Sequence, residues 1–315
     1  VVQIAGETFH VYFLGTAGAL PTTNRNPSCI MVRRGSDTLL FDCGEGAQQQ
    51  MMRARTGFTV DAIFITHWHA DHYLGVPGLL QTMSFMGRTE PLKIYGPRWV
   101  HEFVDFVEGI SRTPLGFAVQ PRELSDGMTV SFDGYQIRAF ATRHNTLGLG
   151  YILTEDERPG RFDREKAISL GVPPGPLFGN LQRGEPVTIE SEGITKEVTP
   201  DQILGPPRPG RKLVYTGDTR PHVGGWAEYA KGADLLIHDA TYDESGAERA
   251  RDVYHSTAGE AATVARQIEA HLLALVHISS RYTGTKTHIE DAKEHYDGKV
   301  IAPDDLEMIE ITYRS

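Results

Sequence analysis

Four potential metal ligands fall within the six residues His67-Trp68-His69-Ala70-Asp71-His72. The stretch follows the apolar run Ala62-Ile63-Phe64-Ile65 and precedes a segment of helical character. Side chains alternate along an extended backbone, so His67 and His69 face one point, while Asp71 and His72 face a second as the chain turns into the helix. One cluster then serves two neighbouring metals, as two-metal hydrolysis requires. An isolated His-x-His is more often a solvated turn or part of a structural zinc site. The full pattern at a strand end signals function.

Three distant residues share that setting. His144, Asp218 and His277 each follow an apolar β-type run, at 135–141, 212–215 and 273–276. In layered α/β proteins, functional side chains gather beyond the C-terminal ends of strands. Taken singly, His144, His238 or His271 is an ordinary structural histidine and Asp218 a turn residue; their joint occurrence points to one site. The expected division gives one cation to His67, His69 and His144 and the other to Asp71, His72 and His277, with Asp218 bridging both. A nitrogen and oxygen donor set without thiolate suits zinc or manganese and leaves a position for water. Two cations about 4 Å apart lower the pKa of a water between them and stabilise charge on an attacked phosphorus or carbonyl. Asp71 is also placed to accept the nucleophile's proton.

The elements that must position these groups alternate in type. Strands are predicted at 9–13, 28–32 and 38–41, with a hairpin signal at Arg34-Gly35-Ser36-Asp37, followed by a helix over 47–55. After the histidine cluster come a helix at 75–86, a strand at 92–95, a helix at 99–110 and strands at 128–132 and 135–141. Beyond residue 212, strands at 212–215, 235–237 and 273–276 alternate with an alanine-rich helix over 256–271, for which Ser256 or Thr257 is the N-cap. A closing strand is predicted at 308–312. Residues 155–212 break the rhythm with Gly171-Val172-Pro173-Pro174-Gly175-Pro176 and Gly205-Pro206-Pro207-Arg208-Pro209-Gly210. A long irregular insertion of this kind is either functional or disordered. Within 158–183, Arg158, Arg161, Arg164, Lys166 and Arg183 oppose only Asp163 and Glu165, a local charge of +3.

The chain's 315 residues, 40% hydrophobic and 23% charged, suit a globular protein with a sizeable core. No apolar run approaches the ~18 residues of a membrane span, and the opening residues lack a charged-then-apolar signal. Two cysteines, Cys29 and Cys43, do not make a disulfide framework. A cytoplasmic protein is expected. The net charge of −10 argues mildly against a nucleic-acid partner, although binding depends on where the positive charge sits.

The set His-x-His-x-Asp-His, His144, Gly217-Asp218-Thr219 and His277 resembles the metallo-β-lactamase superfamily. That resemblance implies an α/β fold, an αββα sandwich of two mixed sheets with helices outside and a di-metal site at one edge. Further motifs are similar to the ribonuclease Z family. They are Gly15-Thr16 with Pro21-x-x-x-Arg25-Asn26, Asp42-Cys43-Gly44-Glu45-Gly46-Ala47-Gln48, His238-Asp239-Ala240-Thr241 and Tyr254-His255-Ser256-Thr257. The insertion around 171–176 resembles that family's flexible tRNA-gripping arm. Ala70 stands where the family often has glycine, a small change that leaves the ligands in place.

The resemblance implies one metallo-β-lactamase-like domain over 1–315, carrying a tRNA-binding arm at 155–212. It also implies two Zn2+ per subunit (Mn2+ as an alternative) and a homodimer in which one subunit's arm serves the other's active site. The implied reaction cuts precursor tRNA after the discriminator nucleotide, leaving a 3′-hydroxyl on the tRNA and a 5′-phosphate on the trailer. Asp71 and His255 would be catalytic, His255 acting at the leaving 3′-oxygen. Arg25, Asn26 and Arg281 are candidates to orient RNA, and the arm's Arg158, Arg161, Arg164, Lys166 and Arg183 to clamp phosphates. The competing enzyme reading is a phosphodiesterase of the same superfamily acting on small phosphoesters, which needs no basic arm. A non-catalytic RNA-binding protein stapled by metals fits poorly, because structural zinc sites are closed and often cysteine-rich.

Overall fold

The computed structural model describes residues 8–110, 113–191 and 194–314. The stretch 1–7, where a leader signal was sought, lies outside the described residues.

Strand β1 (Phe9–Gly15) buries Phe9, Val11 and Phe13 completely on one face, the alternation its sequence predicts. It pairs antiparallel with β2 (Cys29–Arg34), which turns through the predicted hairpin into β3 (Asp37–Phe41). From β3 the sheet continues in parallel through β4 (Ala62–Phe64), β5 (Leu92–Gly96) and β6 (Val119–Glu123). The second sheet begins with β7 (Thr129–Phe132), β8 (Tyr135–Ala141) and β9 (Leu149–Glu155). A separate hairpin of β10 (Val187–Ser191) and β11 (Ile194–Val198) lies within the insertion. The second sheet resumes with β12 (Lys212–Tyr215), antiparallel to β9, and runs in parallel through β13 (Leu235–Asp239), β14 (Leu272–Val276) and β15 (Lys299–Ile301). Finally β16 (Met308–Glu310) returns to the first sheet beside β1.

Each main sheet is therefore seven-stranded and mixed. Their inner faces share one core, in which Phe41, Phe64 and Tyr95 of the first sheet meet Tyr151, Tyr215 and Ile237 of the second. Phe64 stacks on Tyr95 at 4.6 Å and meets Tyr151 edge-on at 5.3 Å, favourable aromatic arrangements. Helices Ala47–Arg53, Val76–Phe85 and Val100–Ile110 cover the outer face of the first sheet. The alanine-rich helix Ala258–Gln267 covers the outer face of the second, capped by Thr257 in a reciprocal capping box with Glu260. The layers are αββα, as expected. Strand β6 and the helix Lys286–His295 were not predicted, because their polar composition hides the period of their few apolar residues.

Residues 155–210 form a second compact unit with its own core. Ala167, Val172, Leu181, Val187, Ile189, Val198 and Ile203 are buried there. Two short helices, Arg164–Ser169 and Pro176–Gln182, and the β10–β11 hairpin organise it. The segment expected to be irregular is thus folded. Asp163 caps the first helix through the Lys166 amide, and Pro176 begins the second, where a missing N–H costs nothing.

Candidate metal centre

The strand ends converge at one edge of the sandwich. The chain leaves β4 through Ile65 and Thr66 into His67, and His69 is the N-cap of the short helix Ala70–Tyr73. His144 follows β8, Asp218 follows β12 and His277 follows β14. The structure brings all seven expected ligands together in two overlapping groups, His67, His69, His144 and Asp218, and Asp71, His72, Asp218 and His277.

In the first group, His69 Nδ1 lies 2.9 Å from His67 Nε2 and 3.1 Å from His144 Nε2. Asp218 Oδ2 lies 3.6 Å from His67 Nε2 and 3.9 Å from His144 Nε2. In the second group, His72 Nε2 and His277 Nε2 each lie 3.3 Å from Asp71 Oδ2. Asp218 reaches this group with both oxygens, Oδ2 at 3.4 Å from His72 Nε2 and Oδ1 at 3.3 Å from His277 Nε2. Ligands bound tetrahedrally to zinc at ~2.0–2.1 Å stand about 3.3 Å from one another, so these separations fit such a cation. His72 Nε2 and Asp218 Oδ1 are buried without a hydrogen-bond partner among the described residues, an arrangement that burial penalises unless a cation completes it. The donor set and its orphaned atoms fit divalent metal.

A second layer aims the imidazoles. His67 Nδ1 faces Thr66 Oγ1 at 3.0 Å, His72 Nδ1 faces Asp42 Oδ2 at 2.7 Å, His277 Nδ1 faces Thr241 Oγ1 at 2.8 Å and His144 Nδ1 donates to the Tyr254 carbonyl at 2.9 Å. Such partners fix the ring that offers its other nitrogen to a metal. Asp42 is fully buried and also accepts from the Thr66 amide and hydroxyl and from the Tyr215 hydroxyl. Its backbone sits at φ +58°, a left-handed conformation that Asp tolerates better than most residues. Sequence reading found Asp42 only as part of a motif and gave it no task. Asp239 was likewise passed over, yet it holds His255 at 2.9 Å. Both acids end or follow strands, which was the available signal.

Close approach also explains two glycines. A side chain at Gly18 would strike His277, and one at Gly217, at φ +59°, would strike Thr66.

Burial holds His67, His69 and His144 below the ordinary imidazole range, with neighbouring histidine charge adding to the effect at His67 and His69. Those nitrogens are thus unprotonated and available. Burial also works against charge on His72, but Asp218 and Asp42 overcome it and raise that ring well above the usual value. A proton there supplies positive charge that a cation would replace. Asp71 is half-buried, which alone would raise its carboxyl, but the His277 and His72 imidazoles beside it hold it well below the usual range.

His255 meets His144 and His277 with ring centroids 5.0 Å apart, so it borders the cluster. Of the expected RNA contacts, Arg25 is turned inward and mostly buried, donating to the Pro303 carbonyl and Asp304. The Asn26 amide is held by Asp305, which also fixes Thr16 and Gln50. Arg281 is exposed. In the second unit, Arg161, Arg164, Lys166 and Arg183 are exposed and Arg158 is half-buried. That unit as a whole, residues 155–210, carries seven Lys and Arg against ten Asp and Glu, so the basic stretch is local.

Two seven-stranded sheets packed face to face, with histidines and aspartates clustered at their strand ends, define a metallo-β-lactamase-fold protein. Family models agree. That of the beta-lactamase superfamily domain matches residues 184–278, and that of the anti-Pycsar protein Apyc1 matches 9–156. Human tRNase Z, short form, is superimposable with a TM-score of 0.70 at 27% identity, covering 96% of this chain and all of the human one. The ribonuclease Z of Methanosarcina acetivorans is 50% identical over 306 residues, 96% of this chain and 98% of its own. That of Myxococcus xanthus is 50% identical over 303 residues, 96% and 97% of the two chains. The chain belongs to the ribonuclease Z family.

Proposed function

We propose that this protein is the endoribonuclease that removes the 3′ trailer from precursor tRNA. It cuts after the discriminator nucleotide and leaves a 3′-hydroxyl on the tRNA and a 5′-phosphate on the trailer. The observation that carries this reading is 50% identity with ribonuclease Z along nearly the whole chain. The clustering of seven His and Asp side chains in two overlapping groups supports it chemically.

His67, His69 and His144 would hold one Zn2+ and Asp71, His72 and His277 the second, with Asp218 shared between the two groups and Mn2+ an acceptable substitute. Held there, the cations would supply an activated water and neutralise charge on the phosphorus under attack. Asp71, kept ionised by His277 and His72, accepts the nucleophile's proton. His255 is raised to about 9 because Asp239 outweighs the burial that opposes its charge. It is therefore protonated at neutral pH and donates to the leaving 3′-oxygen as the P–O3′ bond breaks. Arg161, Arg164, Lys166 and Arg183 of the inserted unit, with Arg158 beside them, bind tRNA phosphates away from the cut. Arg281 and Asn26 contact RNA nearer to it, whereas Arg25 braces the loop that carries Asn26.

The working form is a homodimer in the cytoplasm. Exposed apolar side chains at the outer helices, Phe85 and Met86 at the end of one and Phe106 and Ile110 on another, support self-association. No helix among the described residues is long and apolar enough to cross a membrane.

The test is incubation with zinc or manganese and a 3′-extended precursor tRNA, with product ends mapped and His67→Ala alongside. A single cut after the discriminator, absent in the variant, is expected. Hydrolysis of a small phosphodiester without any precursor cleavage would transfer the protein to the small-substrate phosphodiesterases.

A further inference from the structure

A cleft of about 460 Å³ opens beside His144, lined by Arg143, His144, Arg220, Pro221 and Tyr254. Two of its polar walls are already engaged. His144 belongs to the metal cluster, and the Arg220 guanidinium is taken by Glu260 and by the His255 carbonyl. The two remaining functional walls are Arg143, which is exposed, and Tyr254, which is 49% exposed despite its size.

Neither is loosely held. The Arg143 backbone donates to Thr219 Oγ1 at 3.1 Å, and its carbonyl accepts from the Arg220 amide at 2.7 Å. Tyr254 has φ +63°, a left-handed conformation that is unfavourable for a bulky residue and persists only when its surroundings enforce it. Its carbonyl receives His144 Nδ1 at 2.9 Å, and the next amide, of His255, donates to the Ala250 carbonyl at 2.8 Å. The backbone that orients a metal ligand thus also presents an aromatic ring to the cleft.

We propose that this cleft is the subsite for the nucleotide that carries the leaving 3′-oxygen, with Tyr254 stacking on its base and Arg143 contacting its phosphate backbone. The inference rests on the RNA-cleaving reading above. His255, the next residue in the chain, acts on that oxygen, so the attached sugar lies beside it and the base is within reach of Tyr254. Single-stranded RNA ends are recognised by stacking unpaired bases on aromatic side chains and by arginine at phosphates. Stacking tolerates any base, as an enzyme serving many tRNAs requires.

The experiment compares kcat/KM of the zinc-loaded protein and its Tyr254→Ala variant on three precursor tRNAs, one intact, one abasic at the discriminator and one abasic at the first trailer nucleotide. On intact RNA the variant is expected to lose about tenfold, within the range of one base–aromatic stack. On RNA abasic at the discriminator the two enzymes should differ by less than about twofold, because the stacking partner is gone. Tyr254→Phe keeps the ring and should recover nearly all the activity on intact RNA. Arg143→Gln should raise KM and reduce the log–log salt slope by about one, the signature of one lost phosphate contact. Equal losses on intact and abasic RNA would mean that Tyr254 acts only through its backbone, and would overturn the subsite. Coupling to an abasic first trailer nucleotide instead would overturn the assignment to the discriminator side. If the wild-type enzyme cuts no precursor but hydrolyses a small diester, the RNA-cleaving reading itself falls, and the subsite with it.

Discussion

His255 Nδ1 lies 2.9 Å from Asp239 Oδ2, and that aspartate is wholly buried. The carboxylate is itself held by the Thr219 amide and by the amide and hydroxyl of Thr241, so it offers the imidazole a fixed negative partner. Burial disfavours the imidazolium, but the charge and hydrogen bond of Asp239 prevail and raise His255 to about 9. Raised above the unfolded value of ~6.5, the interaction contributes fully to stability below that pH and is lost as pH climbs through about 9. The proposed proton donation to the leaving oxygen follows the same sign. Bound cations repel the imidazolium, so the alkaline limb of kcat is expected below 9. Asp239→Asn should move it lower still and reduce kcat by about tenfold or more. A kcat–pH profile at saturating metal checks this, and an unmoved alkaline limb would remove His255 as the donor.

Asp42 and His72 form the matching pair on the other side of the cluster, at 2.7 Å and with neither residue exposed. Asp42 meets His72 at Nδ1, leaving Nε2 to face the ligand cluster, so it would act by fixing the ring's tautomer and direction. Asp42→Asn should therefore weaken binding at the second metal position by roughly 10–100-fold, the usual cost of losing such a partner. Metal titration of the stripped protein measures it. Two-site binding with wild-type affinities would show that His72 needs no carboxylate behind it.

The contrast between these acids and the ligands shows what the sequence makes legible. His67, His69, Asp71 and His72 are readable because one short segment carries all four, and alternation alone divides them. His144, Asp218 and His277 are readable through the strands before them. Asp42 and Asp239 sit at the same kind of strand end, but an aspartate there is also an ordinary turn former, and nothing local says that it faces a histidine 30 or 16 residues away. The inserted unit was obscured for another reason. Its helices span only six and seven residues, too short to establish an apolar period, and its prolines and glycines read as loop. Its seven-residue core is assembled from pieces spread between 167 and 203.

Arg220 ties the loop bearing His255 to the loop bearing Asp218. Its guanidinium donates to the His255 carbonyl and forms a two-pronged pair with Glu260, which also closes the capping box at Thr257. With side chains 17% and 25% exposed, the pair is sheltered without being cut off from water. Arg220→Met should cost about 1–3 kcal/mol of stability, from the lost charge-assisted hydrogen bonds and an unpaired Glu260. It should also lower kcat more than it raises KM, because His255 loses its anchor while the basic residues of the inserted unit are unchanged. Glu260→Gln preserves the capping box and should be milder in both respects. Thermal melts with steady-state kinetics test the pair, and a purely KM effect would refute the anchoring role.

Removal of the inserted unit is expected to leave the two main sheets folded. Thr154 on β9 and Lys212 on β12 are direct antiparallel partners, so the strands already form a hairpin that the insertion merely lengthens. Among the described residues, the three core clusters around the two main sheets include none between 155 and 210, and the unit's own core includes none outside it. Replacing residues 156–210 by Asn-Gly supplies a turn suited to such a hairpin and keeps buried Arg211 in place. The shortened protein should retain cooperative unfolding, divalent-metal binding and hydrolysis of a small phosphodiester. Precursor tRNA cleavage should fall by roughly a hundredfold or more, since several phosphate contacts are lost together, and the remaining activity should depend less steeply on salt. Parallel assays on the two substrates, across a salt series, separate the outcomes. Unchanged tRNA cleavage would take the arginines of the insertion out of substrate binding and leave the sandwich alone to recognise the RNA.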